Sequence, residues 1–188
     1  FIYYGDEIGM RYVEGLTSVE GGYGRTGSRS PMQWNDSVNC GFSSASPEKL
    51  YIPMDSAADR PTAAEQAVDD NSLYNEVKRL IELRKDNPAL QNTAAWELIC
   101  GEEENYPLIY LRQEAGGERQ EAGSCGGEKL AVIINPCGDE REANIDKITL
   151  GKPIYTFGGE VWGKSGKVIV PGGSAGIYSI TVGNAALR

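Results

Sequence analysis

The chain has 188 residues, 40% apolar and 24% charged, a composition that suits a packed core rather than disorder. Its 27 acids against 18 bases leave a net charge of −9, which excludes the basic face that a nucleic-acid partner requires. It contains no histidine, so His-based acid–base catalysis, Ser-His-Asp triads and His-containing zinc sites are excluded together. Cys40, Cys100, Cys125 and Cys137 are widely spaced with no CxxC pair, so the sequence offers no metal site and implies no cofactor. Their spacing fits reduced thiols in a cytoplasmic protein. No stretch of about 20 apolar residues is present to span a membrane.

The first element is Phe1-Ile2-Tyr3-Tyr4, an apolar run that ends at Gly5 and turns at once into Asp6 and Glu7. It reads as a buried strand opening into a functional loop, and a strand of that kind needs neighbours that this chain does not supply. Residues 5–70 form a long segment rich in Gly, Ser and Pro. Its aromatics Tyr12, Tyr23, Trp34, Phe42 and Tyr51 speak for a folded loop over a binding face rather than for disorder.

A helix is expected over 72–86. Ser72 can serve as its N-cap, and Pro88 bars continuation. Leu73, Val77, Leu80, Ile81 and Arg84 fall on one face at helical spacing, a stripe that should pack and lose exposure on folding.

From about residue 94 the period changes. Trp96–Cys100, Leu108–Arg112, Leu130–Asn135, Asn144–Leu150, Ile154–Phe157, Val168–Val170 and Gly176–Val182 read as short strands separated by Gly, Pro and Asn signals. Glu114–Glu128 reads as an extended solvent hairpin. The expected organisation is a βα unit over 1–90 and an antiparallel β-sandwich over 91–188.

Four segments carry a resemblance: FIYYGDEIGM at 1–10, GRTGSRSPMQW at 24–34, NCGF at 39–42 and NSLYNEVKRLIELRKDNPAL at 71–90. In order and spacing they resemble the α-amylase superfamily, glycoside hydrolase family 13, in its oligo-1,6-glucosidase, α-glucosidase and trehalose synthase branch. The resemblance runs over 1–90 and continues more weakly beyond.

It implies that Phe1–Tyr4 is the eighth strand of a (β/α)8 barrel, residues 5–70 the eighth βα loop and Ser72–Asp86 the eighth helix. In such barrels the site lies at the C-terminal ends of the strands. The remainder would be the family's C-terminal β domain. The implied activity is that of a retaining α-glycosidase on α-linked glucose oligosaccharides, with no nucleic-acid or membrane partner. A trehalose synthase-like transglycosylase is the alternative.

The family's three catalytic acids lie upstream of the eighth strand and have no matching position here. Retaining chemistry needs two carboxyl groups about 5 Å apart. Asp6 and Glu7 are adjacent at a strand end and point to opposite faces, so they read as loop braces instead, one capping and one pairing with an Arg. The chain is therefore expected to be inactive alone, with no catalytic residue of its own.

The residue that the resemblance places toward substrate is Arg25, whose guanidinium suits a hydroxyl-rich sugar. Arg29 is expected to brace the loop in a buried ion pair, and Trp34 to pack beneath it. Thr26, Ser30 and Asn35 depart from the family's Asp, Thr and Asp. Glu14 and Glu20 are candidate partners of Arg25. A further reading makes the β domain a sugar-binding module that uses Trp96, Tyr110, Tyr155, Trp162 or Tyr178, although Tyr110 and Tyr178 look like core. A third makes it a structural cover for the barrel and its last helix.

Overall fold

The computed structural model describes residues 1–17, 24–102, 105–114, 128–146, 148–164 and 166–182. The expected hairpin at Glu114–Glu128 lies almost wholly outside the described residues. The chain divides into two compact units, Phe1–Leu83 and Arg84–Arg188.

The first unit corrects the opening expectation. Phe1–Tyr4 is not a strand, and all four side chains are exposed. A strand exists through its ladder and its covered faces, and no described segment pairs with this one. The chain turns at Gly5 (φ 91°) into a 3₁₀ turn at Asp6–Ile8.

The long loop is folded, with further 3₁₀ turns at Thr26–Arg29, Val38–Gly41 and Pro47–Lys49. It also holds a helix that the sequence reading passed over, α1 (Ala63–Val68). The signal was present as Thr62 followed three residues later by Glu65, a capping pattern. Thr62 Oγ1 accepts from Glu65 N at 3.2 Å.

Helix α2 (Leu73–Asp86) falls where expected, and Ser72 is its cap: Ser72 Oγ accepts from Asn75 N at 3.2 Å. The packing expectation does not hold. Leu73, Leu80 and Ile81 are exposed, at 46%, 37% and 43%. Helical period places apolar residues on one face, but burial requires an opposing surface that the stripe does not meet here.

In the second unit the described strands are β1 (Ala95–Cys100), β2 (Leu108–Gln113), β3 (Lys129–Asn135), β4 (Arg141–Asn144), β5 (Ile148–Phe157), β6 (Trp162–Lys164), β7 (Lys167–Val170) and β8 (Ser174–Val182). They form a five-stranded sheet, β1-β2-β3-β8-β5, and a three-stranded sheet, β4-β7-β6. Every described pairing is antiparallel, as expected.

Two expected strands are recut. Asn144–Leu150 divides at a turn closed by Ile148 N to Ile145 O (3.0 Å), and its second half runs on through Pro153 to Phe157 as β5. The register shifts on both sides of Pro153, so a bulge absorbs the residue that cannot donate to the ladder. Strand β6 was not foreseen.

One core serves both sheets. Ile109, Ala131, Ile133 and Tyr178 from the large sheet meet Ala143, Val168 and Val170 from the small one. Asn135, fully buried at the end of β3, ties the sheets together. Its amide nitrogen is shared among the carbonyls of Asp139, Val170 and Pro171 at 2.9–3.1 Å, and its Oδ1 accepts from Cys137 N at 3.2 Å.

Replacing Asn135 by Ala should cost about 2–3 kcal/mol, because buried carbonyls and an amide lose their partner together. Ser72→Ala should cost about 1 kcal/mol through the lost helix cap. Urea denaturation of the two variants is the check, with Asn135→Ala the larger loss.

Candidate substrate-facing loop

The loop of the first unit is built around Pro31-Met32-Gln33-Trp34. A helix leaves its first amides without intrahelical partners. At α1, Ala63 N donates to Gln33 O and Ala64 N to Trp34 O, both at 2.9 Å, and Glu65 N is taken by Thr62. Gln33 is fully buried, and its Nε2 donates to Pro61 O. The motif therefore serves as a platform for α1.

The other end of α1 is tied by Gln66. Its Nε2 donates to Ile8 O (2.7 Å), its Oε1 accepts from Tyr74 N (3.0 Å), and its carbonyl accepts from Ser72 Oγ (2.7 Å) and Asn75 Nδ2 (3.1 Å). The turn after the opening segment, α1 and the start of α2 are joined through one side chain.

Asn39-Cys40-Gly41-Phe42 folds back on this motif. Trp34 N and Asn35 N both donate to Cys40 O, at 2.9 and 3.1 Å. Asn39 and Cys40 hold positive φ (51° and 52°), and the Asn39 amide donates to Ser43 O and Ala45 O. Gly41 has φ 74°, and a Cβ there would lie 2.7 Å from Asn35 Nδ2. Cys40 is buried beneath Arg60, whose Nε donates to its sulfur at 3.0 Å.

Asp6 and Glu7 are braces. Asp6 Oδ2 accepts from Tyr3 N and Glu7 Oε2 from Gly5 N, both at 2.8 Å. A pocket of about 470 Å³ brings Glu7, Arg29 and Trp34 together with Tyr4, Phe42 and Tyr51. Tyr4 donates from its hydroxyl to Ser30 O, and burial, followed by the neighbouring Tyr3, pushes its pKa up.

Trp34 does not pack beneath the loop. It is 51% exposed, while Met32 and Gln33 are the buried members of the motif. Side chains alternate along an extended segment, and with Gln33 turned inward under α1, Trp34 faces the pocket. Arg29 is half-buried on the pocket wall.

Arg25 does not line this pocket. It is exposed at the head of the Thr26–Arg29 turn, and its carbonyl accepts from Ser28 N (3.2 Å) and Ser28 Oγ (2.8 Å). Glu14 is exposed, and Glu20 lies outside the described residues.

Spacing gave no sign of Arg11. It holds Asp59 with both terminal nitrogens at 3.1 Å and Asp55 through Nε at 3.2 Å, across more than 40 residues. The hydrogen bonds from Arg11 hold the Asp59 carboxyl below the usual aspartate range.

Of the five aromatics proposed for the β domain, Tyr178 is core, its hydroxyl accepting from Val161 N at 2.8 Å. Tyr110 and Tyr155 are half-buried, and Trp96 and Trp162 are exposed. Among the described residues no group of three or more metal-ligating side chains converges, and no helix is long and apolar enough to cross a membrane.

A family model described as the α-amylase catalytic domain matches residues 1–93, the span that contains the whole of this loop. Residues 1–93 belong to the α-amylase family. Mycobacterium tuberculosis has a relative named trehalose synthase/amylase TreS, 37% identical over 124 residues; the match covers 62% of this chain and 19% of that protein. An oligo-1,6-glucosidase of Parageobacillus thermoglucosidasius is 32% identical over 112 residues, covering 60% of this chain and 17% of the relative.

The crystal structure of trehalulose synthase MutB from Pseudomonas mesoacidophila MX-45 superposes with a TM-score of 0.64 at 22% identity, over 84% of this chain and 26% of that one. At that identity the likeness is one of fold. The chain spans about a fifth of the length of the curated relatives it matches.

Two outcomes are expected. Gly41→Ala should destabilise the first unit by about 1–2 kcal/mol, from a positive φ and a contact with Asn35 that must give way; chemical denaturation followed by Trp34 fluorescence, with Trp96 and Trp162 replaced by Phe, is the check. A carboxylate with a depressed folded pKa contributes stability that is present above its unfolded value, about 3.9 for Asp. That contribution is lost as pH falls through the folded value. Asp59→Asn should therefore lower the Tm at pH 6, and the difference from wild type should shrink when the pH is lowered to 3. An equal difference at both pH values would contradict the Arg11–Asp59 assignment.

Proposed function

We propose that this chain is the C-terminal portion of an α-glucosidase-type glycoside hydrolase that acts on α-glucosidic oligosaccharides by retention. The observation that carries this reading is the order of its motifs in one α-amylase-family segment: the apolar run with its Gly-Asp-Glu turn, the Arg25 turn and the Pro-Met-Gln-Trp platform. In this reading residues 1–90 are the last βα unit of a (β/α)8 barrel and 91–188 are a β-sandwich domain. In it the loop over 5–70 faces the sugar, and α2 is the barrel's last helix.

Arg25 contacts substrate. An exposed guanidinium on a closed turn can donate to several sugar hydroxyls at once. Asp6 and Glu7 are occupied by backbone amides, which supports their exclusion from the chemistry. The reacting carboxyl groups belong to sequence upstream, and the chain alone is inactive. The cysteine usage fits a cytoplasmic setting.

A second reading is a transglycosylase. It is the runner-up, and its support is that one 37% identical relative is named trehalose synthase/amylase. The two activities share the same acids and differ in whether water or a sugar takes the glycosyl group.

The 188-residue chain, assayed on p-nitrophenyl α-glucoside and isomaltose, should show no turnover above a mock preparation. The gene upstream of Phe1 should encode an Asp nucleophile and a Glu acid/base. Turnover by the chain alone would overturn its inactivity, and an upstream sequence without those acids would overturn the enzyme reading.

A further inference from the structure

In the second unit, strand β5 is an edge of the large sheet and β6 an edge of the small one. A cleft of about 530 Å³ lies along these two edges. Its lining includes Ile148, Leu150 and Pro153 of β5, Val161 and Trp162 at the start of β6, and Tyr178 of β8. Neither edge invites a further strand. Strand β5 carries Lys152 and Pro153, with register shifts on both sides of the proline, and β6 has three residues. Charge, proline, a bulge and shortness are what keep a sheet edge from pairing. The cleft is left to a small ligand, for which its volume is of the usual size.

Two side chains give the cleft its chemistry. Trp162 is 57% exposed, so its indole is open to solvent on the lining. Tyr178 is 3% exposed, and its ring lies over Gly176, where a Cβ would come within 2.5 Å of it. The Tyr178 hydroxyl accepts from Val161 N at 2.8 Å, and its own proton has no acceptor among the described residues. Burial pushes the Tyr178 pKa up, against the Val161 amide and with the Glu160 carboxylate, so that proton stays in place at neutral pH. Lys167, also on the lining, is taken by Glu142.

The cleft therefore offers a proton from Tyr178 and, in the exposed Glu160, a carboxylate that accepts one. A hydroxyl group answers both, since it accepts and donates at once. An anion would be repelled by Glu160, and a cation would gain nothing from the Tyr178 proton. The C–H face of a hydroxylated ring can in turn lie on the indole of Trp162.

We propose that the cleft along β5 and β6 binds a hydroxylated ring of the pyranose class, with Trp162 as its stacking face and the Tyr178 hydroxyl as its donor. The site lies wholly within the second unit. It does not rest on the reading of Arg25 or of the barrel.

The test uses the 188-residue chain with maltose as the probe. Its three tryptophans give three indole N–H resonances, which Trp162→Ala and Trp96→Phe assign. On titration the Trp162 resonance should shift saturably while that of Trp96 stays in place. The backbone amide of Val161 reports the same titration in the variants. Trp162→Ala should weaken maltose about tenfold or more. Tyr178→Phe, which keeps the ring, should weaken it about three- to tenfold. Trp162 is exposed, so its replacement carries the test even where Tyr178→Phe does not fold.

No saturable shift in the wild type overturns the site, and so does an unchanged maltose response in Trp162→Ala. Cyclohexanol, a ring with a single hydroxyl, should bind more weakly than maltose. Equal or tighter binding of cyclohexanol would make this an apolar cleft and overturn its assignment to sugars.

Discussion

The amides at the start of α1 decide how the first unit is built. Three donors at the head of a six-residue helix must find acceptors, and two find the backbone of Gln33 and Trp34. That requirement places the Pro-Met-Gln-Trp motif against the helix, turns the Gln33 side chain into the interior and leaves Trp34 outward. From there the fold-back at Asn39–Phe42 follows, because Trp34 and Asn35 still need an acceptor for their own amides and find it in Cys40 O. A motif that looks like a binding signature is first a piece of backbone bookkeeping.

What could be read in the sequence was what is local. Helix α2 was legible because its cap, its period and its stop lie within a few residues of one another. Most strands of the second unit were legible as apolar runs between turn signals. The break in the sequence at Gly151-Lys152-Pro153 was misleading, because a bulge lets β5 pass through it. Helix α1 was hidden by the expectation of a long irregular loop, despite the Thr62…Glu65 pattern.

The candidate site was legible only in part. Arg25 came from motif position, and the structure shows the turn that carries it. The groups that hold that turn and its surroundings did not come from any pattern. Gln66 reaches Ile8 across 58 residues, and Arg11 reaches Asp59 across 48. Spacing in sequence carries no trace of such contacts, since any polar residue of the right reach would have looked the same. Burial was also misjudged at Trp34 and at the α2 stripe: composition says what a side chain prefers, and surroundings decide whether it is satisfied.

The exposed Phe1-Ile2-Tyr3-Tyr4 run has a bearing on how the isolated polypeptide behaves at high concentration. Four uncharged aromatic and β-branched residues with no strand partner among the described residues, tied to the fold through Tyr3 and Asp6, make a template for intermolecular β-pairing. Asp6 and Glu7 follow directly, and Arg11 lies a few residues on. Charges in that position act as gatekeepers, repelling an incoming copy where register would otherwise extend. The acids that the fold uses as braces would then also serve colloidal solubility, a role independent of any sugar.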